Sequence, residues 1–282
     1  MITIQSAGLE ELTLDDWDAG IACESLDLGH PNVRAVVADR PGAHGTVDET
    51  QYFGARSVAL KLNVFAGTLG SRRAILDRIA PFCDPGRRSV LRYEDPTGGG
   101  IRALVLRASD ASAPLTNPTL TEMAVSWVAP SGLIYADDEK TEIAQPFTAV
   151  APGLTFDTGF PASFPSFVSS AAALLNEGTL NAHWTADLYG PFTGPALINR
   201  TTGEGLYLPG LSVGAGDYLH LDSLNRTVTL NGSDGATRYG YLDFVNSTWW
   251  TLAPGLTMVE FSPASSASPA SAAITWYDTF LI

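Results

Sequence analysis

Imidazole is the side chain that most often ligates metals and moves protons near neutral pH, so the four histidines come first. His30, His44, His183 and His220 have no Cys or carboxylate at metal-ligand spacing, and no His-x-x-x-His pair occurs. His220 alternates with Tyr218 and Asp222 along one predicted strand, so the three share a face. No nucleophile stands beside them, and a solvated strand face is the simpler expectation. Asp15-Asp16-Trp17-Asp18 and Asp137-Asp138-Glu139 offer oxygens to Ca²⁺ but lack the glycine-bearing loop of a dedicated site. They read as solvated acidic turns. Gly98-Gly99-Gly100 lacks the downstream Lys-Ser/Thr of a phosphate loop, and no Gly-x-Ser-x-Gly motif is present. Cys23 and Cys83 are far apart, which predicts a buried pair of free thiols and no disulfide framework. The sequence therefore predicts no catalytic residue, no metal ligand and no cofactor.

Recognition chemistry remains. Arg72, Arg73 and Arg78 cluster in a chain with 16 Lys+Arg against 30 Asp+Glu, a net charge of −14. One reading is a contact with an acidic surface, such as a neighbouring copy of the chain. Arg73 and Asp77 are also spaced for an i,i+4 pair, which suits a solvated helix face. Trp184, Tyr207, Tyr239, Tyr241 and Trp249 would form a stacking platform for a sugar or a partner wherever they reach the surface. The acidic balance argues against nucleic acid and against an anionic membrane as partners.

The elements that must carry these residues are mostly strands. The chain has 282 residues with 27 Gly and 18 Pro, a turn-dense composition that suits an all-β protein of one large or two ordinary domains. Val58, Leu60, Leu62 and Val64 recur at period two within Ser57–Phe65, the strongest strand of the first half. Ile2–Ile4, Leu12–Leu14, Ile21–Leu28, Arg88–Tyr93, Ile101–Ala108 and Leu120–Val128 read as further strands. The period changes once: Ser71 predicts an N-cap for a short helix over Arg72–Cys83, ended by Pro81. From Pro195 onward the chain is a meander. Tyr218–Asp222 and Thr227–Leu230 alternate polar with apolar, Asn231-Gly232 makes a tight turn, and Trp249–Leu252 reads as a strand closed by Pro254-Gly255.

The charged and then Pro/Gly-rich stretch 136–165 is the expected junction, giving domains 1–142 and 143–282. Phe160, Phe164 and Phe167 in and beside it are candidates for a buried crossover or a contact. Ser262–Ala273 is of low complexity, and the closing strand 274–282 is too apolar to dangle, so it packs on one domain or the other. No basic and apolar leader and no run of about 18 apolar residues is present, so synthesis in a cytoplasm is expected. Asn199, Asn225, Asn231 and Asn246 then occupy Asn-x-Ser/Thr sites by chance.

The order of motifs resembles one family. Asn199 with Thr202-Gly203, Gly216-Asp217-Tyr218-Leu219 with Leu221-Asp222, Arg226/Val228/Leu230-Asn231-Gly232, and Trp249/Leu252/Pro254-Gly255 follow one another as in the C-terminal domain of distal tail proteins of long-tailed, non-contractile phages. Gly54–Arg56 with Val58 and Leu60, then Arg73/Leu76/Arg78, then Ile101–Leu106 is similar to the ring-forming N-terminal domain of that family. The resemblance spans roughly 20–135 and 195–282. It implies a mainly β fold of two domains. The first is a ring-forming β-sandwich or barrel-like domain with one short helix, and the second is a galectin-like β-sandwich. It further implies a structural virion protein rather than an enzyme, made in the host cytoplasm and located in the tail tip. There it would be a homo-oligomer, a hexameric ring, with the tail tube protein, a tail-tip hub protein and receptor-binding proteins as partners. No long insertion interrupts the second domain, where some relatives carry an extra carbohydrate-binding module. A carbohydrate-binding sandwich and a cell-wall hydrolase are the competing classes. The first needs an exposed aromatic groove and the second a carboxylate pair in a cleft.

Overall fold

The computed structural model describes residues 1–35, 37–44, 46–48, 51–96, 98–114, 120–146, 171–267 and 269–282. The chain forms two compact units, Met1–Asp137 with Phe280–Ile282, and Asp138–Thr279.

The first unit contains β1 (Ile2–Ser6), β2 (Leu12–Thr13), β3 (Ile21–Asp27), β4 (Pro31–Arg34), β5 (Val37–Asp39), β6 (Thr46–Asp48), β7 (Tyr52–Phe65), α1 (Leu69–Ile79), β8 (Ser89–Glu94), β9 (Ile101–Ser112), β10 (Leu120–Ala129) and β11 (Ile134–Ala136). Its main sheet runs β2-β1-β8-β9-β10-β7-β3, with β4 on β7 and β11 on β9. The period-two pattern of β7 has its expected effect: Val58, Leu60, Leu62 and Val64 are all buried. The antiparallel register sets Trp127 of β10 opposite Val58, Val125 opposite Leu60 and Met123 opposite Leu62, so one core face is continuous across both strands. Trp127 is fully enclosed, and its indole N–H donates to the Phe82 carbonyl at 3.2 Å.

The helix begins earlier than the sequence predicts. Thr68, in an extended conformation, is the N-cap, and the backbone N–H of Ser71 donates to Thr68 Oγ1 at 3.1 Å. Ser71 therefore lies inside the first turn. The helix ends at Ile79, and Ala80–Cys83 continue as a 3₁₀ turn that accommodates Pro81 near its start.

The second unit is an antiparallel sandwich. It contains β12 (Lys140–Ala144), β13 (Ala171–Asn176), β14 (Trp184–Tyr189), β15 (Phe192–Thr193), β16 (Ala196–Asn199), β17 (Gly205–Tyr207), β18 (Ser212–Val213), β19 (Tyr218–Asp222), β20 (Thr227–Leu230), β21 (Ala236–Thr237), β22 (Gly255–Phe261), β23 (Ser265–Ser266) and β24 (Ser271–Trp276). One sheet runs β12-β24-β14-β19-β20-β21 and the other β13-β22-β16-β17, with a small sheet β18-β15-β23. Alternation on each strand sends Ala186, Leu188, Leu219, Leu221, Val228 and Ile274 from the first sheet inward. They meet Leu174, Leu197, Leu206, Val259 and Phe261 of the second in one buried cluster.

The predicted strands over 218–222 and 227–230 form as β19 and β20, and the turn after them has Asn231 at φ 60° and Gly232 at φ 109°. Trp249–Leu252 is not a strand. It is an extended segment joined to its surroundings by a bridge between Leu252 and Ala182, because Trp250 and Leu252 are drawn into the core instead of extending a ladder. The expected crossover residues Phe160, Phe164 and Phe167 lie outside the described residues. The chain leaves the first unit at Asp137, and Lys140–Ala144 pair in full register with β24. The closing segment is divided: Ser271–Trp276 complete the second unit's sheet, while Phe280 belongs to the first unit's core.

Candidate functional site

The three helix arginines have different surroundings. Arg72 is buried, and its guanidinium donates to the Leu120 carbonyl at 3.4 Å, so it braces the first unit and is not a surface contact. This corrects the grouping of Arg72 with its neighbours: α1 turns that position inward onto β10. Arg73 pairs with Asp77 at 3.0 Å on the exposed face, as their spacing predicts. Arg78 is exposed in the last turn.

The aromatic candidates also separate. Trp184 is 1 % exposed and packs against Trp250, with ring centroids 4.4 Å apart. Its indole N–H donates to the Trp250 carbonyl at 3.0 Å, and Trp249 lies partly buried beside it. Trp184 is thus core, because its bulky ring sits at an inward-facing strand position, while Trp249 is half-buried at the margin of that core. Tyr207 is half-buried near the chain of the neighbouring loop, its backbone N–H donating to Ser247 Oγ at 3.0 Å. Tyr239 and Tyr241 reach the surface, and Phe244 and Val245, which sequence reasoning passed over, are exposed with them.

This loop is braced from within. Asp243 accepts from the backbone N–H groups of Val245 at 3.1 Å and Asn246 at 3.3 Å, and from the Asn246 side chain at 2.7 Å. Its own N–H donates to the Tyr207 carbonyl at 2.9 Å. The Asn246 amide, against a smaller effect of desolvation, holds the Asp243 carboxyl below the usual carboxylate range. The result is an apolar tip presented on a rigid frame. A local signal was available: Asp-x-x-Asn is the spacing of an Asx turn.

His220 has a partner that linear spacing hides. Its Nδ1 lies 2.7 Å from Asp187 Oδ1, because β14 and β19 pair with Asp187 directly opposite His220. Asp222, on the same face as expected, instead closes its own turn, accepting from Leu224 and Asn225. Thr229 lies opposite His220 on β20, yet its buried hydroxyl has no hydrogen-bond partner among the described residues, His220 included, so the row Asp187–His220–Thr229 is not a nucleophile–base–acid relay. The cross-strand partner could not be found in the sequence, since 33 residues separate the two and only the sheet register joins them.

The remaining candidates are structural. Asp15 and Asp16 cap their own loop, accepting from the backbone N–H groups of Cys23 and Ala19. Asp137 pairs with Arg92 at 2.6 Å in a groove of about 600 Å³ that also includes Thr3, Gln5 and Glu11. Arg92 is further engaged by Gln5 at 3.0 Å, so the groove's cation is already spent within the unit. Among the described residues no group of three or more His, Cys, Asp and Glu could hold a metal ion. Cys23 and Cys83 are free, but each is half-buried rather than enclosed, since both stand at the margin of the first core. Burial still pushes both thiols up, with Asp15 adding to the effect at Cys23, so neither is a ready thiolate.

These surfaces sit on a fold with known counterparts. Residues 177–280 match the family model of the siphovirus-type tail component, C-terminal domain. That match falls almost entirely within the second unit. Over 100 % of both chains, the structure is similar to the crystal structure of the SPP1 Dit protein, with a TM-score of 0.66 and 12 % identity. That protein is described as a paradigm of hub adsorption apparatus in phages infecting Gram-positive hosts. The likeness extends the shared fold to the first unit and to the two-domain, mainly β architecture. Two structures of the phage P2 baseplate in its activated conformation, with Ca and with Sr, align over 97 % at 12 % identity. Their TM-scores are 0.48 and 0.49. No curated protein matches the chain in sequence.

Proposed function

We propose that the chain is a structural virion protein: the hub of a siphovirus-type tail tip, present as a ring that joins the tail tube to the tip and adsorption apparatus. One observation carries this reading. A segment matching the tail-component family lies within a chain whose whole length shares the fold of a tail hub protein. In this account the first unit closes a hexamer by heterologous, head-to-tail contacts. Arg78 and Arg73, the latter beside Asp77, are its exposed helix cations, since Arg72 is enclosed. The second unit faces outward as an adaptor, and the braced tip of Tyr239, Tyr241, Phe244 and Val245 is its contact for another tail protein. Rigid exposed aromatics are the residue types that anchor protein interfaces. The protein works without a cofactor and without catalysis, is synthesised and assembled in the host cytoplasm, and stays in the virion.

Electron microscopy of the purified protein at rising concentration tests the ring, and mass spectrometry of purified virions tests the location. Six-fold rings and presence in the virion are expected. Absence from virions overturns the proposal.

A further inference from the structure

We propose that the outer face of the sheet formed by β24, β14, β19 and β20 binds a neutral, polyhydroxylated ligand, a glycan of uncharged sugar units. The strand registers lay out its chemistry in rows. Ala273, Asp187, His220 and Thr229 stand side by side in one row, and Ser271, Tyr189 and Tyr218 in the next. Asp187 can only accept, so the shared hydrogen bond at 2.7 Å fixes the proton of the neutral imidazole on Nδ1. Nε2, at the other end of the ring, is then an oriented acceptor for a hydroxyl. The Tyr189 and Tyr218 rings lie 5.4 Å apart, and Tyr189 is 41 % exposed, giving an amphipathic wall on which the C–H face of a sugar ring can rest. Across β14 the neighbours are only Ala273 and Ser271, which leave the floor beside this wall low.

Charge selects the ligand class. The rows carry Asp187 and no Lys or Arg, in a chain of net charge −14. Phosphate- or carboxylate-bearing polymers are repelled, whereas an uncharged polyol loses nothing. A protein partner fits the 239–245 tip better, where Phe244 and Val245 stand exposed beside two tyrosines, whereas these rows combine two tyrosines with an oriented Asp187–His220 pair. The site differs from the aromatic positions singled out in the sequence and does not rest on the hub reading.

The test uses the full chain on an array of neutral hexose and N-acetylhexosamine oligomers, with polyglycerol phosphate as the anionic arm. Saturable binding to at least one neutral oligomer is expected. It should weaken about ten-fold or more in His220→Ala and in Tyr189→Ala, the loss of one oriented hydrogen bond or one stacking surface, and persist in Tyr241→Ser on the separate loop. Tyr189 is exposed enough that its truncation keeps the fold should His220→Ala prove unstable. The proposal is overturned by any of four results: no neutral oligomer bound, binding that survives both substitutions, binding of polyglycerol phosphate alone, or a protein partner on this face without glycan binding.

Discussion

Replacing Arg56 with Met would remove a buried guanidinium while keeping most of its aliphatic volume. Arg56 is 1 % exposed, and its guanidinium bonds to backbone carbonyls. Nε donates to the Gly132 carbonyl at 3.0 Å, and Nη1 reaches the carbonyls of Leu28 at 3.4 Å and Gly29 at 3.1 Å. Nη2 donates to the Leu281 carbonyl, so one side chain ties two loops and the chain's end together. Desolvation lowers the Arg56 pKa, the sign of a charge held in a site poor in water. Loss of the guanidinium relieves that desolvation but leaves buried carbonyl oxygens unbonded, at about 1–3 kcal/mol each where water cannot reach them. With partial solvent access for some of the four, a net cost of about 3–5 kcal/mol follows. For a unit of this size that is a fall in Tm of roughly 10–15 °C. Calorimetry of the intact chain is the assay. The first unit's transition should fall and the second unit's should stay. A fall corresponding to less than about 1 kcal/mol, or an equal fall of both transitions, would refute this account of Arg56.

Three further outcomes are expected. Asn176→Ala, which deletes bonds from Nδ2 to the Leu180 and Leu252 carbonyls and orphans the Gly178 N–H, should cost about 2–3 kcal/mol, seen in calorimetry as a shift of the second unit's transition alone. Because the folded Asp243 carboxyl titrates below its unfolded value, the order it gives the 239–246 loop is complete above about pH 4 and is lost as pH falls through the folded value. Asn246→Ala should raise that titration in an NMR experiment on the Asp243 side chain, and an unchanged titration contradicts the bracing role. Arg72→Glu should lower the monomer's Tm sharply, whereas Arg73→Glu with Arg78→Glu should leave Tm nearly unchanged and weaken ring assembly by light scattering. Normal assembly of the double variant removes this helix from the interface.

What the sequence made legible is what neighbours along the chain determine. The alternation of Val58, Leu60, Leu62 and Val64 predicts their burial, and Asn231-Gly232 predicts its turn, because both depend on local backbone geometry. The helix start was displaced because Thr68 and Ser71 are equally good caps by type, and only the entering backbone decides between them. Ring type alone does not say which face of a strand is inward, so the burial of Trp184 is not legible in the sequence. Arg56 and the Asp187–His220 pair were invisible for a different reason. Their partners lie 27 to 225 residues away and meet only through sheet register and chain closure.

The central claim is that this chain is the hub of a phage tail tip, and its most direct test is immunogold labelling of virions with antibody against the second unit. The account predicts label confined to the tail's distal end, with a copy number in the virion matching one six-membered ring. Label distributed along the tail tube, or none on intact virions, would contradict it.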